Sequence, residues 1–502
     1  MNKKYLSTRG GQHNINASEG IISGLASDGG LFVPEFLDDI HLDLMALMGA
    51  DYTAVAKAVF SEFLNDFSEE QIDACVDAAY NTGKFDGDCP VALQKAGDRH
   101  FLELYHGPTC AFKDMALTIL PHLMTTSLAI QDIHKRILIL TATSGDTGKA
   151  ALSGFANVDG IDIIVFYPKD GVSVVQEKQM LTQEGANTRV VGVVGNFDDT
   201  QNGVKQIFSD SDFEKRLADK NVLLSSANSI NIGRLLPQVV YYVFSYLKMV
   251  ENGVFSMNDP VNFVVPTGNF GNILAGYYAS RIGIPVGKFI CASNANHILT
   301  DFFETGEYNR NRDFYKTISP SMDILISSNL ERLLYDLANR DPKTVTQWMN
   351  ALTVSGAYAV KGDIKAKTAE SFWAGYAGED KTKAAIKAMF DENGYLIDPH
   401  TAVASRVYDD YLKTTGDSTP TIILSTASPY KFASSVYEAI FGSIPKNTDA
   451  FGVLDLLSKK TGTVIPKPLH DLKDKPNLHN IVCEKDAMID SVSAFAYERT
   501  TL

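Results

Sequence analysis

Lys113 stands at the end of an unusual run, His106-Gly-Pro-Thr-Cys-Ala-Phe-Lys-Asp114. A Gly-Pro turn fixes the backbone, a small polar pair follows, and Phe112 precedes the lysine directly. Flanks of this kind bury the lysine stem, and burial lowers an ammonium pKa. A neutral amine can attack an aldehyde and form an imine, and Phe112 could wall one side of a planar ring. Taken alone, Lys113 could equally be a surface lysine with a snorkelled stem.

Four loops offer partners for such an amine. Pro266-Thr-Gly-Asn-Phe-Gly-Asn272 follows the apolar, β-branched run Val261–Val265 and precedes a helical pattern at Ile273–Ile282. Two glycines let the backbone approach a ligand, and the helix start supplies N–H donors and a favourable dipole for an anion such as phosphate. With only G-x-x-G, it lacks the dinucleotide fingerprint. Thr141-Ala-Thr-Ser-Gly-Asp-Thr-Gly-Lys149 has the same strand–loop–helix order. It fails as a nucleotide P-loop, because Thr143 stands where the first glycine belongs and Ala150 replaces the metal-binding hydroxyl. Its hydroxyls and backbone donors suit a carboxylate, with Ser144, Asp146 and Thr147 as candidates; the alternative is an ordinary capped helix. Leu424-Ser-Thr-Ala-Ser-Pro429 ends an apolar strand, where the hydroxyl of Thr426 could face a ring nitrogen. In Asn228-Ser-Ile-Asn-Ile-Gly-Arg-Leu-Leu-Pro-Gln238, Asn231 and Arg234 lie three apart, so on a helix they share a face and could grip a second anion. A capped helix with Arg234 in a structural ion pair reads the same pattern.

The elements that must position these loops alternate. Strand-like runs at Ile137–Thr141, Ile161–Tyr167, Arg189–Val194, Val222–Ser225, Val261–Val265, Lys288–Ala292 and Thr421–Leu424 are separated by helical stretches. This rhythm predicts an α/β protein with parallel sheets covered on both faces, ligands sitting at the carboxyl ends of their strands. Three units are expected at this length: an N-terminal domain (1–95), a small α/β domain (136–210), and a large α/β domain (96–135 with 211–502). The large unit includes a helical insertion around 295–395 and a polar tail at 445–502.

Composition excludes other classes. The chain has 502 residues, with Lys plus Arg 45 against Asp plus Glu 60 and a net charge of −15. So acidic a surface argues against nucleic acid, and it requires a local cluster of donors for any anionic substrate. No run is long and apolar enough for a membrane span, and the start MNKKYLSTRGGQ lacks the character of a targeting peptide. The five dispersed cysteines, without C-x-x-C, predict a reduced, cytoplasmic protein. The histidines form no H-x-x-x-H pair, so no metal site is expected.

In this order the loops resemble those of the threonine synthase family, within the tryptophan-synthase-β-like (fold type II) class of pyridoxal-phosphate enzymes. STRGG (7–11), ASDGGLFVPE (26–35), HGPTCAFKD, TSGDTG (143–148), NSIN…R…PQ (228–238), PTGNFGN, LSTASP and IPKPLHDLKDKP (465–476) carry the resemblance over most of the chain. One departure is Ser428, where the family pattern has His. The resemblance implies pyridoxal 5'-phosphate as cofactor, Lys113 as the Schiff-base lysine, and Gly268, Asn269, Phe270, Gly271 and Asn272 around the cofactor phosphate. It further implies Thr426 at the pyridine nitrogen, and Ser144, Asp146 and Thr147 near the substrate carboxylate. Asn231 and Arg234 are the candidates for the substrate phosphate. The implied reaction is O-phospho-L-homoserine plus water to L-threonine plus phosphate, in a monomer or homodimer. Two other readings share some of these residues: a fold-type-II dehydratase acting on serine or threonine, which needs no second anion site, and a non-catalytic relative that uses the site only for binding.

Overall fold

The structure is a computed structural model that describes residues 3–81, 83–143, 145–360 and 362–500. Two sheets dominate. The larger has six strands in the order Phe372–Tyr376, Val286–Ser293, Val261–Pro266, Thr421–Ser425, Arg99–Glu103 and Ala92–Ala96. All neighbours are parallel except the last pair, a hairpin. Val261–Pro266 and Thr421–Ser425 are buried at every residue, as central strands covered on both faces must be. The smaller sheet is wholly parallel, in the order Ile481–Glu484, Thr188–Val194, Ile161–Pro168, Arg136–Ala142 and Val222–Ser225.

Strand order explains the site. Val261–Pro266, Thr421–Ser425 and Arg99–Glu103 are consecutive parallel neighbours. Their carboxyl ends lie side by side, so the loops that follow them converge: the glycine loop, Thr426, and the run to Lys113. The loop after Arg136–Ala142 arrives from the smaller sheet.

The smaller sheet reaches beyond the expected 136–210 span. It takes Val222–Ser225 and, at its edge, Ile481–Glu484 from the tail that sequence reading assigned to the large unit. The tail strand is four residues long and mostly exposed, so it carries no apolar alternation to betray it. Likewise Phe372–Tyr376, within the segment read as helical, extends the large sheet.

Residues 5–80 form a short antiparallel pair, Tyr5–Ser7 with Phe32–Pro34, and three α-helices, Ala17–Ser23, Tyr52–Phe63 and Glu69–Tyr80. They share one apolar core with the long helix Ile232–Glu251. Tyr52, for instance, sets its ring edge-on to Phe244 at 5.3 Å, a geometry the ring quadrupoles favour. Among the described residues, no helix is long and apolar enough to cross a membrane.

Candidate active site

The loop bearing Lys113 is held from within and from across the sheet. Buried Asp114 accepts from the Thr109 amide (2.8 Å) and the Thr109 hydroxyl (2.6 Å). Cys110 takes a left-handed conformation, φ +59°. Phe112 N–H donates to the Thr426 carbonyl at 2.8 Å, Ser428 N–H donates to the Cys110 carbonyl at 3.0 Å, and Ala111 bridges Ala427. A segment more than three hundred residues away is thus laced to the lysine loop, bringing Thr426 beside Lys113. The Thr426 side chain is buried, and its hydroxyl has no partner among the described residues.

Lys113 is partly buried. Removal of water from around its amine pulls its pKa down to about 8; Asp146 opposes that shift, while Arg234 and Lys431 add to it. Burial pushes neighbouring Asp114 up to about 6 in spite of its bonds to Thr109. Burial thus brings the amine nearer to releasing its proton at neutral pH, as a proton carrier requires.

The 266–272 loop turns its carbonyls one way. Ser327 Oγ donates to the Gly268 carbonyl (2.7 Å), and Asn329 donates to the Asn269 carbonyl from its backbone (3.1 Å) and its amide (2.9 Å). Phe270 adopts φ +61°, and its ring leaves the loop to pack on Phe303 and Phe372. The N–H groups of Gly268–Asn272 find no acceptor among the described residues, a concave set of donors at the start of helix Gly271–Arg281. The Asn272 side chain accepts from the hydroxyls of Tyr241 (2.6 Å) and Tyr242 (2.9 Å), yet its buried Nδ2 is orphaned. A buried donor without a partner is costly, and a phosphate oxygen would satisfy it. This donor set fits a phosphate-bearing aldehyde, with Lys113 and Thr426 placed for the rest of the molecule. The Asn269 side chain is exposed.

Comparisons with known proteins agree. Residues 4–80 match the family model "Threonine synthase N terminus", 94–362 match "Pyridoxal-phosphate dependent enzyme", and 401–493 match "Threonine synthase, C-terminal". A threonine synthase from Schizosaccharomyces pombe is 37% identical over 87% of this chain and 89% of its own. The chain belongs to the threonine synthase family. The crystal structure of "PLP bound Threonine synthase from Brucella melitensis" superposes with a TM-score of 0.85 at 35% identity, covering 98% of this chain and 99% of that one. The "Threonine synthase-like 1" of Pongo abelii is 40% identical over 88% of this chain, which spans only 60% of that longer relative.

Within this family member the remaining candidates separate. Ser144 lies outside the described residues. Thr147 is partly exposed at the start of helix Asp146–Phe155, its hydroxyl without a partner among the described residues. Asp146 is not free to receive a carboxylate. It is a buried anion gripped by Lys431 (2.8 Å), Gln176 (2.9 Å) and Ser321 (3.3 Å). Asn231 and Arg234 do not share one anion either. Asn231 caps its helix through Gly233 N–H (2.8 Å) and donates to the Ile21 carbonyl (2.9 Å). Arg234 donates to the Ala227 carbonyl (2.7 Å), its Nε is orphaned, and it pairs with no acid among the described residues.

Sequence reading missed Lys431. Its side chain is fully buried, bound to Asp146 and to the Thr109 carbonyl (2.8 Å). The available signal was a lone cation between Tyr430 and Phe432 in an otherwise apolar run. Ser428, the departure from the family pattern, caps that turn by accepting from Tyr430 N–H at 3.3 Å.

The glycine loop yields a direct test. A Cβ on Gly268 would point at the Ser321 carbonyl, 2.5 Å away, and not into the anion's place. Gly268→Val must therefore displace the 320–322 turn, with both a lower melting temperature and at least about tenfold weaker cofactor binding expected, one decade being ~1.4 kcal/mol. On Gly271 a Cβ meets Asn329 at a tolerable 3.4 Å, so Gly271→Ala should stay near wild type in both. Cofactor titration of the apo-protein and thermal melts check the pair.

Proposed function

We propose that this protein binds pyridoxal 5'-phosphate and converts O-phospho-L-homoserine and water to L-threonine and phosphate. The carrying observation is Arg234, a guanidinium only 3% exposed, with no carboxylate partner among the described residues. It lies close enough to Lys113 to depress that amine, and burial brings its own pKa down to about 10. An uncompensated buried cation costs several kcal/mol, and a dianionic leaving group would supply the missing charge. A dehydratase acting on serine or threonine has no such group to place.

When bound, the cofactor supplies the electron sink for carbanion chemistry. The residues here supply the rest. The glycine-loop N–H groups and Asn272 hold its phosphate, and the Thr426 hydroxyl meets its ring nitrogen as an uncharged partner. Lys113 removes the α-proton and then serves the β-carbon, because its amine exchanges protons near neutral pH. Arg234 holds the leaving phosphate with a planar fork that suits two oxygens at once.

The deciding experiment is turnover of O-phosphohomoserine with threonine and phosphate both measured, beside serine and threonine as rival substrates. Equal release of the two products supports the reading. Deamination of serine or threonine alone, or no turnover, removes it. Thr426 is tested within the same assay. Thr426→Ala loses one hydrogen bond of about 0.5–1.5 kcal/mol, so cofactor affinity should fall roughly threefold to tenfold. Thr426→Asp should favour a protonated ring nitrogen and divert product toward 2-oxobutanoate. Unchanged affinity and product ratio in both variants would take Thr426 away from the ring.

A further inference from the structure

We propose that Lys431 is a positioning residue for Lys113: paired with Asp146 across the two sheets, it fixes both the backbone and the charge around the reactive amine. The inference rests on Lys113 being that amine. Lys431 stands in the turn Pro429–Phe432, just past the large-sheet strand Thr421–Ser425. Asp146 opens the helix that follows the small-sheet strand Arg136–Ala142. Their side chains are 0% and 3% exposed and meet at 2.8 Å. Stability alone does not account for such a pair, since a buried ion pair is commonly no better than apolar residues of equal volume.

The pair touches the lysine loop from two sides. Lys431 Nζ also donates to the Thr109 carbonyl, and Thr109 begins the segment that Asp114 ties down toward Lys113. Asp146 is held by three donors from three elements: Lys431, Gln176 of helix Val174–Leu181, and Ser321 of the turn over Gly268. The small-sheet loop is thereby docked on the large sheet beside the amine.

Charge follows from this geometry. The charged groups that act on Lys113 are Asp146, Arg234, Lys431 and Asp114, from the small sheet, the long helix, the Pro429 turn and its own helix. The Cys110 thiol, pushed up to about 12 by burial, stays neutral. Burial by itself would raise Asp146, but Lys431 and then Lys113 hold it well below the usual carboxylate range. Asp146 therefore favours the ammonium of Lys113, and Lys431 offsets that pull. Without Lys431, Asp146 would face Lys113 alone and keep it protonated. Without Asp146, the remaining cations would drive the proton off.

The test is a double-mutant cycle read at Lys113 itself. In full-length apo-protein, the pH dependence of Lys113 acylation by an amine reagent is followed by peptide mass spectrometry. Lys431→Met should move the midpoint up and Asp146→Asn should move it down, each by about one pH unit, a roughly tenfold fall and a roughly fivefold rise in neutral amine at pH 7 respectively. The double variant should fall between the two, and Lys431→Arg should restore the wild-type midpoint. Shifts of equal sign, or no shift alongside lower melting temperatures, overturn the inference and leave Lys431 a packing residue. If Lys431→Met does not fold, Asp146→Asn decides alone: a midpoint that fails to fall overturns the proposal. Failure of the underlying reading looks different, because Lys113→Ala would then still bind cofactor covalently.

Discussion

Lys113→Ala should fold, melt near the wild-type temperature, and lose both cofactor-linked absorbance and all measurable turnover. The fold should tolerate the change because the Lys113 side chain makes no hydrogen bond or ion pair among the described residues; Asp114, Lys431 and the Thr426 strand end hold its loop. Removing it also removes a cation whose pKa burial already depresses, so the folded state gives up little. Chemistry gives up everything the amine provides. General acid–base catalysis alone contributes about 10²–10⁴-fold, and loss of the covalent attachment adds to that. Visible absorbance, borohydride reduction followed by peptide mapping, and a two-product assay check it. A yellow, borohydride-reducible Lys113→Ala protein would sink the assignment.

Arg234→Ala should chiefly raise KM for O-phosphohomoserine, by about 10²-fold or more. Charge-assisted bonds to phosphate are worth ~1.5–3 kcal/mol each, and the guanidinium can make two. A contact kept from the bound substrate through the transition state leaves kcat nearly unchanged. Inhibition by phosphate-bearing substrate analogues should weaken in parallel. Cofactor loading and melting temperature should hold, because among the described residues the Arg234 side chain has one bond, to the Ala227 carbonyl, and no ion pair to lose. Arg234→Lys should rescue only part of the affinity, since a point charge does not reproduce the planar fork. A lower melting temperature with unchanged analogue affinity would return Arg234 to a structural role.

Much of the site was legible because each signal was local. Lys113 is framed by its immediate neighbours. The glycine loop follows an apolar β-branched strand and opens a helix, so its free backbone donors are signalled by its immediate neighbours. Thr426 follows a strand end in the same way. Parallel sheets follow from short apolar runs alternating with helices. Each is a matter of near-neighbour sterics and period, which the chain encodes directly.

What lay out of reach depends on residues distant in sequence. Asp146, Asn231 and Arg234 were read from local types alone, and the fold divides them: Asp146 goes to Lys431, Asn231 to a helix cap, and Arg234 to a buried position without a counter-charge. A side chain's role depends on what tertiary packing sets against it, and no spacing rule reports that. Exposed edge strand Ile481–Glu484 was missed for the related reason that it buries too little to leave a pattern. By itself, then, the sequence determined the family, through its ordered motifs, and the parallel α/β class, through local backbone preference and hydrophobic period, and it singled out Lys113 and the 266–272 loop as candidates. Only the tertiary structure decided which charges face one another. Coulomb energy in a dry interior depends on distance through space, and the distance between positions 146 and 431 is set by the docking of two sheets.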